Sequence, residues 1–142
     1  LNLTLARDIG VKGQHPWTPA VFSSIGLNES VKMICEEGID NVIARNTELS
    51  DMVVKGLAKL GIHLFAKDPV YASKSVNTFY YEKSPQFVAK LKEEFGIEIY
   101  NGQADLHDTT FRVGTMGYVA KTDIAAFLYA AEQVVKELEA ED

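Results

Sequence analysis

The chain has 142 residues, the size of one ordinary domain, and its 46% hydrophobic and 24% charged content fits a soluble, folded protein. Fourteen Lys and Arg against twenty Asp and Glu leave a net charge of −6 with no basic run, which argues against a nucleic-acid or anionic-membrane surface. No apolar stretch approaches the ~20 residues a bilayer needs, no signal-peptide pattern is present, and the single cysteine, Cys35, fits a reducing, cytoplasmic compartment.

Leu1, not Met, opens the sequence, which predicts a piece of something longer. Residues 1–14 have weak periodicity and read as a linker or arm. In "HPWTPA", Thr18 is positioned to cap a helix whose first turn begins at Pro19. Val21, Ile25, Leu27, Val31, Ile34 and Cys35 then recur at helical spacing up to a stop at Gly38. This places Cys35 in an apolar stripe, as a small core hydrophobe rather than a reactive thiol.

A second helix is predicted over 39–60, with Val42, Leu49, Val53, Leu57 and Leu60 along one side and Gly61 as its stop. "IHLF" and "VNTFYYE" are strand candidates, the second rich in aromatic and β-branched residues. Ser84-Pro85 repeats the cap-then-proline signature and opens a helix ending at Gly96. "IEIY" and "FRVGT" alternate as strands, with Phe111 and Val113 on one face and Arg112 on the other. A last helix over 123–138 carries Ile124, Phe127, Leu128, Ala131, Val135 and Leu138 in one stripe. The order α-α-β-β-α-β-β-α predicts an α+β fold: a three- to four-stranded, mostly antiparallel sheet with helices on one face.

Arg112 is one of three arginines in the chain and stands between a loop opened by Asn101-Gly102 and the glycines of "GTMG". Spacing leaves two readings open: a strand residue with its head in water, or a planar guanidinium aimed at a carboxylate. His15, His63 and His107 lack metal-ligand spacing, and no GxSxG, P-loop or GxGxxG element is present. The Thr18 hydroxyl, at a predicted helix N-terminus, is either a plain cap or part of a phosphate contact.

Taken together, "WTPAV", "EEGIDNVIARNTEL", "LGIHLF", "FGIEIYNGQ" and "FRVGTMGYVAKTDI" resemble the carboxy-terminal part of class V, fold-type I pyridoxal-phosphate aminotransferases. The alanine–glyoxylate and serine–pyruvate branch is the most similar. The resemblance runs from about His15 onward, so 15–142 would form the small domain and 1–14 the arm. It implies that Arg112 holds the substrate α-carboxylate, with Asn101 and Gly102 in a neighbouring loop where Asn101 replaces a more usual glycine. It also implies that Thr18 reaches the cofactor phosphate across a homodimer interface, and that His15 stands where many relatives carry a phosphate-touching tyrosine.

The family's Schiff-base lysine lies upstream of the "TPA" segment, so the resemblance implies that this stretch has no catalytic residue and is inactive by itself. Lys74 in "ASKS" reads as a loop lysine. Amino-acid and 2-oxo-acid substrates, and a cofactor domain holding most of the pyridoxal phosphate, are the implied partners. Two alternatives stand beside this reading. A cysteine desulfurase would carry a loop cysteine before the arginine, and none lies between Cys35 and Arg112. An isolated binding or scaffold domain would show no exposed apolar face.

Overall fold

The computed structural model describes residues 2–140, which divide into two compact units with the boundary between Val42 and Ile43. The first unit holds α1 (Leu3–Gly10) and α2 (Val21–Glu37). Part of the predicted linker is thus helical: the Asn2 side chain accepts a hydrogen bond from the Leu5 N–H, occupying one of the free donors at the start of α1.

Helix α2 begins two residues later than its proline suggests. The Val21 N–H donates to the Pro19 carbonyl in a tight turn, and Ala20 takes the cap position without a side-chain bond. Thr18 is therefore not the cap. None of α2 is buried, and Cys35 is exposed rather than part of a core. Its apolar residues have helical spacing, but spacing reports only that a face exists, not that anything covers it.

The second unit holds most of α3 (Ile39–Ala58), then β1 (His63–Leu64), β2 (Val76–Tyr80), α4 (Ser84–Phe95), β3 (Tyr100–Asn101), β4 (Thr110–Gly114) and α5 (Lys121–Ala140). After the added α1, the order is the predicted one. All strand pairs are antiparallel, in the sheet order β1-β2-β4-β3.

All three predicted glycine stops are used, Gly38 as the residue that follows α2. At the end of α4, Gly96 adopts φ +67° while the Ile97 N–H returns to the Leu91 carbonyl at 3.0 Å. Gly61, at φ +74°, does the same for α3, with the Ile62 N–H on the Leu57 carbonyl at 3.0 Å. Only a residue without Cβ enters this left-handed region at no cost, so each glycine lets the chain turn off its helix, directly after α4 and one short turn after α3.

Strand β3 is shorter than "IEIY" suggests. The segment before it is held to α4 by the Ile97–Leu91 bond and by a 2.6 Å ion pair between Lys92 and Glu98. That contact lowers the Glu98 pKa and raises that of Lys92.

Alternation along the two central strands separates the faces of the sheet. Phe79 pairs with Phe111 across β2 and β4, both fully buried, with ring centroids 5.5 Å apart. Phe87 of α4 packs onto Phe111 at 4.9 Å. Leu49, Val53 and Leu57 of α3 and Phe127, Val134 and Leu138 of α5 complete the same core. Large apolar side chains such as these contribute roughly 1.5–3 kcal/mol each on burial.

Polar ties fix the layers: Asn77 of β2 donates to Ser50 of α3 at 2.8 Å, and Lys83 caps the Leu138 carbonyl of α5 at 2.6 Å. Among the described residues, no helix is long and apolar enough to cross a membrane.

Candidate functional site

With Phe111 and Val113 committed to the core, the period of two sends Arg112 to the opposite face of β4. Its cross-strand partners are Thr78 on β2 and Tyr100 on β3. Direct partners share a face, so Arg112 stands in the middle strand between a threonine and an exposed tyrosine.

The guanidinium is half-buried and fixed at one point. Its Nε donates to the Asn101 carbonyl at 3.1 Å. No carboxylate pairs with Arg112 among the described residues, and its two Nη nitrogens have no protein acceptor there. A guanidinium bonded only through Nε keeps its Nη donors for an external anion, and two parallel donors match the two oxygens of a carboxylate.

The loop from β3 to β4 is built tightly around this point. The Gly102 N–H donates to the Thr110 carbonyl at 2.7 Å, and the Thr110 hydroxyl donates to the Leu106 carbonyl at 2.8 Å. A Cβ on Gly102 would overlap the Thr110 Oγ1 and the Leu106 carbonyl. The glycine that opens this loop is thus required by the loop's own packing. Ala104, at φ +48°, sits in the left-handed region, a further sign of a compact turn.

Ser84 holds a place that its sequence does not reveal. It is the first residue of α4 rather than its cap, the cap position being taken by Lys83, whose side chain does not bond to the helix's own N-terminus. Fully buried, its hydroxyl lies 2.7 Å from the Thr110 carbonyl and 3.0 Å from the Asn101 side chain. The loop after β4 is anchored as well: the buried Thr115 donates its N–H to the Ser75 carbonyl at 2.8 Å, and Arg45 donates to the Gly117 carbonyl at 3.2 Å. Neither the serine nor these anchors carry a motif, since each is defined by partners distant in sequence.

The structure therefore gathers Arg112, Asn101 and Gly102 at one end of β3 and β4. His15 and Thr18 belong to the first unit, where both are exposed and neither side chain has a hydrogen bond among the described residues. His107 and Asp108 form an exposed 2.6 Å contact in the loop, and Lys74 pairs with Asp51 at 2.8 Å. The hydrogen bond from Lys74 lowers the Asp51 pKa.

The family model for class-V aminotransferases matches residues 14–127. Over 129 residues the chain is 33% identical to an uncharacterised aminotransferase of Methanocaldococcus jannaschii, covering 89% of this chain and 34% of that protein. It is 30% identical to the serine–glyoxylate aminotransferase of Hyphomicrobium methylovorum, covering 89% of this chain and 32% of that one. The crystal structure of an alanine–glyoxylate aminotransferase from Nostoc sp. shares the fold, with a TM-score of 0.77 at 23% identity over 86% of this chain and 33% of its own. The chain spans about a third of the length of these relatives. With the match covering most of its length, and the sheet and helices in the expected order, the chain belongs to the class-V aminotransferases.

Proposed function

We propose that this chain is the substrate-orienting, carboxy-terminal part of a cytoplasmic, homodimeric aminotransferase. The enzyme would move an amino group between a small amino acid, alanine or serine, and a 2-oxo acid, glyoxylate or pyruvate. The observation that carries this reading is the Arg112 guanidinium, held through Nε with both Nη nitrogens lacking a protein acceptor among the described residues. The relatives named as serine–glyoxylate and alanine–glyoxylate aminotransferases support the substrate pair.

Pyridoxal phosphate, the cofactor of this family, supplies the electron sink for amino transfer. The exposed Thr18 hydroxyl and His15 imidazole have donor capacity to spare and suit phosphate oxygens as peripheral contacts. The Schiff-base lysine and most of the cofactor site would come from the remainder of the enzyme. Arg112 would bind the substrate carboxylate, and Asn101 and Gly102 would form the loop beside it. Binding at that one end orients the α-carbon, because a two-point grip removes rotation about the carboxylate axis.

Surface chemistry favours this reading over a free-standing scaffold domain. Phe22 is 90% exposed, and Val21, Ile25, Leu27 and Val31 of the same helix are also exposed. A long apolar helix left in water is costly, and a larger assembly that covers it removes that cost.

Full-length enzyme carrying this chain should transfer the amino group of alanine or serine to glyoxylate or pyruvate, followed by chromatographic detection of glycine or alanine. Absence of transfer with every one of these pairs would overturn the substrate assignment. For the phosphate contact, Thr18→Val should weaken cofactor retention on gel filtration by about three- to tenfold, the worth of one hydrogen bond. Equal retention would remove Thr18 from the cofactor site.

A further inference from the structure

We propose that Ser84 is a positioning residue for the Arg112 carboxylate grip, acting through Asn101. This rests on the reading of Arg112 given above. A long arginine side chain has many rotamers, and its Nη edge faces one direction only if the Nε partner is itself immobile. That partner is the Asn101 carbonyl, in a strand of two residues at the edge of the sheet. Edge strands this short fray, and Asn101 is followed by a glycine.

The Gly102 N–H already ties the Asn101–Gly102 peptide to the Thr110 carbonyl at 2.7 Å, and Ser84 adds a second restraint from α4. Its buried oxygen touches the Asn101 side chain at 3.0 Å and the Thr110 carbonyl at 2.7 Å. Thr110 is two residues before Arg112 on β4, so the contacts close a ring: Arg112 Nε to the Asn101 carbonyl, the Asn101 side chain to Ser84, Ser84 to Thr110, and Thr110 along β4 back to Arg112. One hydroxyl proton cannot serve two acceptors fully, and the shorter contact to Thr110 takes it. Rotating the Asn101 amide by half a turn, which exchanges its oxygen and nitrogen, makes the second contact a donation to Ser84 Oγ. The link between Ser84 and Asn101 is the same in either orientation.

The serine has no other employment. Helix α4 draws no side-chain cap from it, and alanine would satisfy the helix equally well at this position. What alanine would lose is the tie between α4, the end of β3 and the start of β4, on the core side of the sheet. The Arg112 guanidinium lies on the other side. The ring thus carries rigidity from the packed layer to the open face.

The test uses full-length enzyme and two readouts of the carboxylate grip: the Michaelis constant for the amino acid, and the inhibition constant of propionate, a monocarboxylate with no amino group to react. Ser84→Ala should raise both by roughly three- to tenfold, the worth of one hydrogen bond, with kcat within about twofold of wild type. In an Arg112→Lys background, where there is no Nε to hold, Ser84→Ala should add nothing to either constant. If Ser84→Ala does not fold, Ser84→Cys, which fills the site but has only a weak S–H donor, carries the same expectations.

Unchanged constants in the single variants, with Arg112→Lys still raising both, would overturn the positioning role while leaving the arginine's role standing. So would equal effects in the two backgrounds. Unchanged constants in Arg112→Lys itself would overturn the carboxylate reading and the positioning role with it.

Discussion

Replacing Arg112 by lysine is expected to raise the Michaelis constants for amino acid and 2-oxo acid by roughly ten- to a hundredfold, with cofactor absorbance unchanged. Lysine keeps the positive charge but presents a point cation in place of a planar fork. One of two charge-assisted hydrogen bonds to the carboxylate is lost, about 1.5–3 kcal/mol. The bond from Nε to the Asn101 carbonyl disappears too, so the remaining ammonium is less well directed. The effect would belong mainly in substrate binding, because the proposed contact of Arg112 is with the carboxylate and not with the bonds that change. Steady-state kinetics with both substrates, beside the absorbance spectrum of the bound cofactor, check it. Kinetics equal to wild type would return Arg112 to the status of an ordinary strand residue.

Gly102→Ala is expected to destabilise the fold by about 1–3 kcal/mol, the cost of forcing a methyl group into a filled space. The contacts that a Cβ would meet include the Leu106 carbonyl, which is backbone and cannot swing aside. Relief requires opening the loop, which breaks the 2.7 Å bond from the Gly102 N–H to the Thr110 carbonyl. A urea titration should show a lower midpoint at unchanged slope. Gly114→Ala is the control, since no atom lies within 4 Å of the place its methyl group would take and its backbone suits any residue. If Gly102→Ala unfolds at the wild-type midpoint, the loop is looser than its contacts require.

These two positions differ in how much of their role is visible along the chain. For Arg112, alternation with Phe111 and Val113 already assigns it to the face opposite the core, and the strand bears this out. The helix stops at Gly61 and Gly96 were equally legible, because a left-handed residue after an apolar run is a local property. So was the α+β order of elements, which follows from apolar periods of 3.6 and 2. Resemblance to the family added the expectation of a carboxylate role for Arg112, which alternation alone left open beside a solvated strand residue.

Other features were hidden, each for the same kind of reason. Thr18-Pro19 and Ser84-Pro85 share one signature, yet neither hydroxyl residue caps its helix. In the first case a turn at Pro19 delays the helix; in the second the serine lies inside the helix and is bonded to the sheet. Cys35 falls in a regular apolar stripe, yet the stripe faces outward. Periodicity and capping signatures arise within a few residues and can be read from the order of side chains. Whether a face is covered, and which distant carbonyl a hydroxyl meets, depends on residues brought together from 17 to 26 positions away, as at Ser84. Local chemistry thus determined the elements and the direction of Arg112, while packing between elements decided what holds that arginine in place.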